Sequence, residues 1–358
     1  MILIGMPSPD SWGGPAACEP PFAEALARQG HAVTTGTYVY GDKISPTNFF
    51  RRVTRVLKTA IRFRRLVREH RPDVMHLNTA FDLKTILRDS VTLIFAGKGT
   101  TKVFLKLHGS EADRFLESCW FVRRLIDIIH HRTDGFGCLS SEEIESFKRL
   151  GFDQEKLYLV SNAVVFDAET RPIEKIADGF EILFVSRFVR AKGLLETIRA
   201  CELLRERGMK FRLTCVGDGE VMQEAKDLVG TLALGRVVTF TGYISEPEVN
   251  GHLQRADVLA FPTTHPEGFP IVLFKAMAAG LPIVTTRIRA AADRLSEPEN
   301  CLFCTNDPAS IADRIEQIAN DDNLRSAMAA NNVAAARTYA PDSVAAEYVR
   351  IYEKLIAS

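Results

Sequence analysis

The sequence predicts an α/β protein made of two Rossmann-like domains that face each other across a cleft. Its 358 residues are too many for one ordinary domain and suit two. Short apolar runs alternate with longer amphipathic stretches, a pattern typical of βαβ units with parallel sheets. The alternation restarts after the polar stretch 167–178, which we interpret as the linker.

The first half contains apolar runs of strand length, and helical patterns separate nearly all of them. These runs are Met1–Met6, His31–Thr35, Val74–Asn78, Val103–His108, Gly135–Leu139 and Leu157–Ser161. A glycine-rich segment follows the first run, and a helix is predicted after it over Pro21–Gln29. This half therefore has the alternating strands and helices of a complete doubly wound unit.

The second half repeats the pattern. Its apolar runs are Glu181–Ser186, Phe211–Gly217, Val237–Gly242, Val258–Pro262, Pro282–Thr286 and Cys301–Cys304. Helices are predicted over Gly193–Arg207 and Gly268–Ala279, and Pro341-Asp342-Ser343 caps a last helix, Val344–Ile356. Because open parallel sheets bind ligands beyond the carboxyl ends of their strands, we expect the site in the cleft between the domains.

Composition narrows the class of protein. The apolar fraction of 46% and the charged fraction of 25% are ordinary for a soluble globular protein. No apolar run reaches the roughly 18 residues of a membrane span, and the first residues indicate a buried strand rather than a signal peptide. Seven scattered cysteines suit a reducing compartment, so we expect a cytoplasmic protein.

The sequence predicts neither a metal nor a cofactor. Cys301 and Cys304 form one C-x-x-C without a second Cys or His pair, which indicates two core residues of a strand rather than a zinc or redox site. Asp73 with His76, and the neighbouring His130 and His131, match no metal-ligand spacing either.

Two glycine-rich loops follow predicted strands. Gly13 and Gly14 lie in Ser11–Pro15 and either offer backbone N–H groups to an anion or make a tight turn. Gly217 belongs to Val216–Glu220, which is either a loop beside a nucleotide or simply a turn.

The segment Ser186–Gly193 carries two cations, Arg187 and Lys192, at a strand end and near the next helix start. Two fixed cations there suit a diphosphate, whose charge grows as it departs. A solvated basic loop is the other interpretation of this segment.

The loop after the strand Val258–Pro262 is the most informative. Glu267 precedes Gly268, Phe269 and Pro270, where a helix is expected to begin. Free N–H groups could hold a phosphate while the carboxylate hydrogen-bonds a sugar hydroxyl. Alternatively, Glu267 is a helix-start carboxylate that the helix dipole favours.

Taken together, these segments resemble the retaining glycosyltransferases of family 4, which have the GT-B fold. The resemblance rests on Ser186–Gly193, Val216–Gly219, Phe240–Gly242 and Ala256–Thr285, and on Gly13-Gly14, Gly30-His31, Asp73–Asn78, His108-Gly109 and Ser161-Asn162. It implies a nucleotide-diphosphate sugar donor, retention at the anomeric carbon and no required metal. It also implies that the last helix crosses back, which gives an acceptor-side domain of residues 1–165 with 342–358 and a nucleotide-sugar domain of residues 166–341.

The resemblance also implies roles for single residues. Arg187 and Lys192 would hold the diphosphate, Glu267 would contact the donor sugar and His108 would lie over it; these four are the predicted catalytic residues. The predicted donor-binding residues are Gly13, Gly14, Gly217, Gly268, Phe269, Pro270 and Lys275. Lys275 is a departure, because family members commonly have a ribose-binding Glu there, and an ammonium donates hydrogen bonds but does not accept them.

The stretch 49–71 is strongly basic and has apolar residues at helical spacing, which predicts an amphipathic helix with a cationic face. Its cationic side is either simply solvated or contacts an anionic membrane, which would suit a lipid-linked acceptor. Nucleic acid is not an expected partner, since no recognition module accompanies the charge.

The sequence therefore predicts a retaining, metal-independent hexosyltransferase that builds a surface polysaccharide or glycolipid, in the cytoplasm or peripherally on the inner face of the membrane. Its partners would be a nucleotide sugar and a glycan or lipid-linked acceptor. The alternatives are an epimerase or phosphorylase of the same fold and a non-catalytic sugar-nucleotide-binding or scaffold protein.

Overall fold

The computed structural model describes residues 1–8, 13–38, 49–96, 99–110, 112–166 and 179–358, without the side chains of 49–52. Ser11 and Trp12 of the first glycine-rich loop, and the predicted linker 167–178, lie outside these ranges. Chain contacts divide the protein into an N-terminal unit, Met1–Val165 with Tyr339–Ser358, and a C-terminal unit, Phe166–Thr338.

The N-terminal unit contains a parallel sheet of six described strands. Its elements are β1 (Ile2–Met6), α1 (Gly14–Arg28), β2 (Val33–Thr37), α2 (Phe49–His70), β3 (Val74–Thr79), α3 (Leu83–Ala96), β4 (Lys102–Leu107), α4 (Trp120–Arg132), β5 (Gly135–Cys138), α5 (Ser141–Arg149) and β6 (Leu157–Leu159). The strand order is β2-β1-β3-β4-β5-β6. Strands such as β3 are buried throughout, as expected when helices cover both faces of a sheet.

The C-terminal unit repeats this architecture among its described residues. Its elements are β7 (Phe180–Val185), α6 (Leu194–Glu206), β8 (Phe211–Val216), α7 (Met222–Thr231), β9 (Val238–Gly242), α8 (Glu246–Arg255), β10 (Val258–Phe261), α9 (Ile271–Ala278), β11 (Ile283–Thr286), α10 (Arg289–Arg294), β12 (Leu302–Cys304), α11 (Pro308–Asn320) and α12 (Asp322–Ala336). The order is β12-β11-β10-β7-β8-β9, and the paired strands are parallel. The predicted α/β class with two Rossmann-like units is therefore confirmed.

The last helix, α13 (Pro341–Ala357), packs on α1 of the N-terminal unit. The guanidinium of Arg28 donates to Asp342 at 2.8 Å, and the hydroxyl of Tyr348 donates to the carbonyl of Ser161 at 3.2 Å. Tyr348 and Tyr352 are buried, so this helix supplies aromatic surface that the N-terminal sheet needs for its core.

The predicted start of the first helix, Pro21, is wrong. Helix α1 begins at Gly14 and contains both Pro20 and Pro21 in its interior. The proline that the first turn of α1 contains is Pro15 rather than Pro21, and a missing N–H costs nothing at that position. Gly13 is the N-cap, with φ of 107°, and Gly14 is the first helical residue.

Helix α6 is flanked by two glycines with nearly the same left-handed backbone. Gly193 has φ of 81° and Gly208 has φ of 80°. A Cβ at Gly193 would overlap the carbonyl oxygen of Pro262, whereas a Cβ at Gly208 would have no neighbour within 4 Å. The two positions therefore share the same conformational strain and differ in steric room.

This difference predicts unequal costs for two matched substitutions. Gly208→Ala is expected to lower the free energy of unfolding by about 1–2 kcal/mol, because alanine is forced into the left-handed region. Gly193→Ala should lose about 1–3 kcal/mol more, because the backbone at Pro262 must also move. Urea unfolding of both variants measures the difference, and equal midpoints would contradict the steric argument.

Candidate functional site

In the C-terminal unit, Lys192 lies in a buried ion pair. Strand β7 ends at Val185, and the chain then makes a 3-10 turn over Arg190–Lys192 before α6. Lys192 is 5% exposed, and its Nζ contacts Oε1 of Glu267. The structure thus brings together two residues that the sequence placed in separate loops.

Backbone hydrogen bonds hold these two loops together. The carbonyl of Ala191 accepts from the N–H of Thr264 at 2.8 Å and from that of His265 at 3.1 Å. The hydroxyl of Thr263 donates to the same carbonyl at 3.1 Å. Because this carbonyl neighbours Lys192 in the chain, the three bonds set Glu267 against the ammonium.

The surroundings of this pair are electropositive. Burial, and then the charge of the exposed Arg187, lower the pKa of Lys192 to about 8. Burial, followed by Lys192, Arg187 and Arg289, lowers the pKa of His265. Three cations are therefore close enough to act on one imidazole, and Glu267 supplies a carboxylate among them.

Gly217 has a packing role in the C-terminal unit. Its φ is 132°, and a Cβ there would overlap the carbonyl oxygen of Ser186. The N–H of Phe188 donates to the carbonyl of Asp218 at 2.9 Å. This glycine turn thus packs directly on the backbone that carries Arg187.

Of the other predicted donor-binding residues in this unit, Gly268, Phe269 and Pro270 lie just before α9, and Lys275 lies in its last turn. Phe269 is buried and stacks on Phe274, with ring centroids 3.8 Å apart, and Pro270 is the N-cap. Gly268 is buried beside Glu267, and α9 begins at Ile271 rather than at Gly268. Lys275 forms an ion pair with Glu246, at the start of α8. Lys275, which stands where family members commonly have a glutamate, therefore has a carboxylate beside it.

In the N-terminal unit, His108 follows β4 and contacts a buried polar cluster. Its Nε2 lies 2.7 Å from Oδ1 of Asn78 and 3.2 Å from Oε1 of Glu19. Glu19, on α1, is fully buried and also accepts from Nζ of Lys106 at 2.7 Å. The chain thus holds a carboxylate, an ammonium and an imidazole in one apolar interior.

These contacts define the proton position on His108. The amide of Asn78 donates from Nδ2 to the carbonyl of Gly5 at 2.8 Å and to Oε2 of Glu19 at 3.1 Å, which orients its Oδ1 toward the imidazole. Both neighbours of Nε2 are then acceptors, so Nε2 carries the proton. Burial lowers the pKa of His108, so the neutral ring has its lone pair on Nδ1.

The same cluster extends to the last helix. Nδ1 of the buried His76 contacts the hydroxyl of Tyr352, and the His76 ring stacks on Tyr348 with centroids 5.6 Å apart. Burial lowers the pKa of His76 to about 3, although Glu19 opposes this. For Glu19 itself, burial raises the pKa, but Lys106 and His108 outweigh it and hold the carboxylate ionised.

Cys18, Glu19 and His108 form the one group of three that could ligate a metal within the described ranges. Its chemistry does not suit a cation. Lys106 already neutralises Glu19, and burial raises the pKa of Cys18, which keeps it a thiol. Cys301 and Cys304 are also buried, and burial raises the pKa of each to about 12, in agreement with a structural role.

The sequence pointed to His108 but not to Glu19 or Lys106, and Asn78 entered only as the end of the stretch Asp73–Asn78. The sequence contains one indication of this buried cluster: Lys106 interrupts the apolar run of β4. A charged residue at the centre of a strand covered on both faces needs a buried partner. That signal points to an acid in the same unit without identifying Glu19.

The buried histidines predict how stability depends on pH. Below about pH 6.5 the unfolded chain binds protons on His76 and His108 that the folded chain resists, so the free energy of unfolding falls as pH falls toward 3. Each such proton contributes a slope of about 1.4 kcal/mol per pH unit. His76→Gln removes one titrating ring, so the dependence of the free energy of unfolding on pH should become less steep by the contribution of one proton.

Urea unfolding between pH 6 and pH 4 compares the slopes of the variant and the natural protein. His76→Phe serves as a second variant without a titrating ring, should the glutamine disturb packing. Slopes equal to that of the natural protein in both variants would contradict the assignment.

Two family models match the chain on either side of the linker. Residues 22–167 match the family described as Glycosyltransferase Family 4, and residues 166–334 match the family described as Glycosyl transferases group 1. Together these matches extend from the first helix to the end of the C-terminal unit.

Similar proteins agree with these matches. The amylovoran biosynthesis glycosyltransferase AmsK of Erwinia amylovora is 27% identical over 214 residues, which cover 58% of this chain and 49% of AmsK. A D-inositol 3-phosphate glycosyltransferase of Corynebacterium urealyticum is 33% identical over 180 residues, which cover 48% of this chain and 42% of that protein. The chain spans about half the length of the curated relatives it matches.

A solved structure resembles the whole chain. HepE of Anabaena, in complex with UDP and glucose, superposes with a TM-score of 0.75 at 17% identity and covers 98% of this chain and 99% of its own. This likeness supports the fold, and the two family matches agree with the motifs of both units. The chain belongs to the group 1 glycosyltransferases of family 4 type, which have the GT-B fold.

Proposed function

We propose that this protein is a retaining, metal-independent glycosyltransferase that moves a hexose-type sugar from a nucleotide-diphosphate sugar to a glycan or lipid-linked acceptor. The product would be a surface polysaccharide or glycolipid made on the cytoplasmic side of the membrane. The observation that carries the proposal is the buried Lys192 beside Arg187, paired with Glu267. Family membership, the amylovoran role named for AmsK and the UDP and glucose bound to HepE support it.

Each unit has its own part in the proposal. The C-terminal unit binds the donor: Arg187 and Lys192 hold the diphosphate and Glu267 contacts the sugar. Gly217 supports their loop, and the backbone N–H groups of Gly268 and Phe269, just before Pro270, add to the anion site. The N-terminal unit binds the acceptor, and Gly13 and Gly14 at the start of α1 offer further N–H groups to the diphosphate.

The proposed step is a front-face displacement. The bond between the anomeric carbon and the diphosphate oxygen breaks, and the electron pair leaves with the nucleoside diphosphate. The acceptor hydroxyl forms the new bond on the same face and gives its proton to the leaving phosphate. Charge grows on that phosphate, so cations fixed beside it stabilise the transition state more than the ground state.

His108 and Lys275 complete the proposed donor contacts. Burial lowers the pKa of His108, and a neutral imidazole suits an uncharged sugar hydroxyl better than a phosphate. At the nucleoside, Glu246 provides the acceptor that Lys275 lacks, because the two residues are ion-paired. The pair together offers both a donor and an acceptor to ribose hydroxyls.

Product analysis tests the function against its alternatives. A thermal-shift screen with uridine- and guanosine-diphosphate sugars identifies the donor, since a ligand at 100 times its Kd adds about 2.7 kcal/mol of stability. That donor is then incubated with and without a membrane-extract acceptor. Sugar transfer only with acceptor supports the proposal, an altered sugar without acceptor indicates an epimerase, and binding without turnover indicates a non-catalytic protein.

Arg187→Ala and Lys192→Ala are each expected to reduce turnover by about 10²–10³, because each removes a charge that stabilises the leaving diphosphate. Arg190→Ala is the matched control: Arg190 lies in the same loop and is exposed like Arg187, but it is paired with Glu224 at 2.6 Å. Initial rates at saturating donor measure the effect, with thermal melting as the check on folding. Loss of activity in Arg190→Ala equal to that in Arg187→Ala would remove the specific role.

The pKa of Lys192 predicts the alkaline limb of the activity profile. Its ammonium is charged below about pH 8 and loses its proton above that value, so kcat/KM should fall as pH rises through 8. Lys192→Arg keeps the charge at all these values and should move the limb upward. If kcat/KM of Lys192→Arg fell at the same pH as that of the natural protein, the titrating group would be a residue other than Lys192.

A further inference from the structure

The outward helices of the N-terminal unit expose an unusual amount of apolar surface. Helix α2 packs on α3, and α3 packs on α4, which makes a layer on one face of the sheet. On α2, the buried side includes Ala60 and Phe63, while Val53, Leu57 and Ile61 form an exposed stripe at a spacing of four residues. That stripe faces away from the core, so packing within the unit does not explain it.

The apolar surface continues on the neighbouring helix. Leu83 and Leu87 of α3 are exposed at the same spacing, and Ile94 lies two turns further along. Single exposed aliphatic residues are ordinary on protein surfaces. Two helices that pack together and both expose apolar stripes put more than scattered apolar residues on this layer, which indicates a surface that contacts something apolar.

Two exposed aromatic side chains lie at the first turn of α4. Trp120 is 79% exposed and Phe121 is 52% exposed, and their rings meet edge to face with centroids 6.0 Å apart. An aromatic pair on a helix start costs solvation energy and adds nothing to the core. Tryptophan, with an apolar ring and one N–H donor, is the side chain most suited to the boundary between lipid headgroups and acyl chains.

Cations flank the apolar stripe of α2. Lys58, Arg62 and Arg65 lie beside Val53, Leu57 and Ile61 along the helix and are exposed, and Glu69 is the one acid of α2. Arg64 and Arg68 extend the stripe itself toward the end of the helix. The outward face thus combines apolar side chains with positive charge, which complements an anionic lipid surface.

Topology places the aromatic pair at the edge of the sheet where ligands bind. In right-handed βαβ units the helices run antiparallel to the strands, so each helix begins at the carboxyl ends of the strands. Leu83 and Trp120 open their helices, and His108 follows the carboxyl end of β4. The exposed apolar residues at these helix starts and the proposed acceptor side therefore share one edge of the N-terminal sheet.

We propose that the layer α2–α4 docks on an anionic lipid leaflet, with Trp120 and Phe121 at the headgroup boundary and the cations of α2 against lipid phosphates. This extends the membrane contact expected for residues 49–71 to a defined face with an aromatic anchor. The lipid-linked nature of the acceptor rests on the proposed function, but the docking itself needs neither donor nor acceptor. Failure of docking is thus distinguishable from failure of transfer.

Vesicle binding by the full chain tests the proposal. The chain has two tryptophans, so Trp12→Phe leaves Trp120 as the sole indole reporter. We expect this protein to float with vesicles of phosphatidylcholine and phosphatidylglycerol but not with phosphatidylcholine alone. The emission of Trp120 should shift to shorter wavelength only with the anionic vesicles. Flotation without any shift would show that the aromatic pair stays in water, which overturns its role as an anchor.

Two double variants separate the apolar and charged contributions. Trp120→Ala/Phe121→Ala should weaken partitioning by about tenfold, since two side chains lose apolar contact. Lys58→Glu/Arg62→Glu should weaken it by at least about tenfold at low salt. All four residues are exposed, so folding is not at risk.

Matched controls come from the C-terminal unit. Arg199→Glu/Arg236→Glu makes the same change in net charge at exposed positions, and Tyr243→Ala removes an exposed aromatic ring. Both should keep the partitioning of the natural protein. If the charge control weakened vesicle binding as much as Lys58→Glu/Arg62→Glu does, the attraction would be nonspecific, which would contradict the role of the α2 cations. Absence of vesicle binding, or self-association that the aromatic variant abolishes, would assign the face to a protein contact and overturn the proposal.

Discussion

The parallel arrangement of both described sheets is the constraint from which the rest of the structure follows. Parallel strands need crossover helices, which cover both faces and bury the strands. They also place every strand's carboxyl end at one edge. The turn with Lys192 after β7, the loop with Glu267 after β10 and His108 after β4 all lie at such ends. Side chains far apart in sequence thus become neighbours within each unit without any unusual local structure.

A second constraint acts inside the N-terminal unit. Glu19 and Lys106 are both fully buried, and the loss of hydration of two charges offsets much of their attraction. Asn78 donates to the other oxygen of Glu19, and His108 contacts the oxygen that Lys106 holds, so both carboxylate oxygens have partners. An apolar pair could fill this volume at least as stably. The ionic cluster instead determines the ring position and proton of His108, which an apolar core would leave undefined.

The sequence was a good guide to the order of elements and a poor one to their partners. Hydrophobic runs identified the strands of both sheets to within a few residues, because buried parallel strands are almost continuously apolar. The start of α1 was misplaced at Pro21, because the helix begins at Gly14, has Pro15 in its first turn and continues through Pro20 and Pro21. Glu19 was missed because its partners, Asn78 and Lys106, are 59 and 87 residues away. Likewise, the contact between Lys192 and Glu267 depends on the pairing of β10 with β7, which the sequence does not reveal.

The Lys192–Glu267 contact has a consequence for how an anion enters. The ammonium of Lys192 already has a carboxylate partner, so under the proposed function an arriving phosphate exchanges one anion for another instead of meeting a bare cation. In that proposal Glu267 is displaced as the donor binds, and its oxygens become available to the hydroxyl groups of the sugar. Such an exchange changes the local charge little. Affinity should therefore respond to ionic strength more weakly than the number of basic side chains suggests.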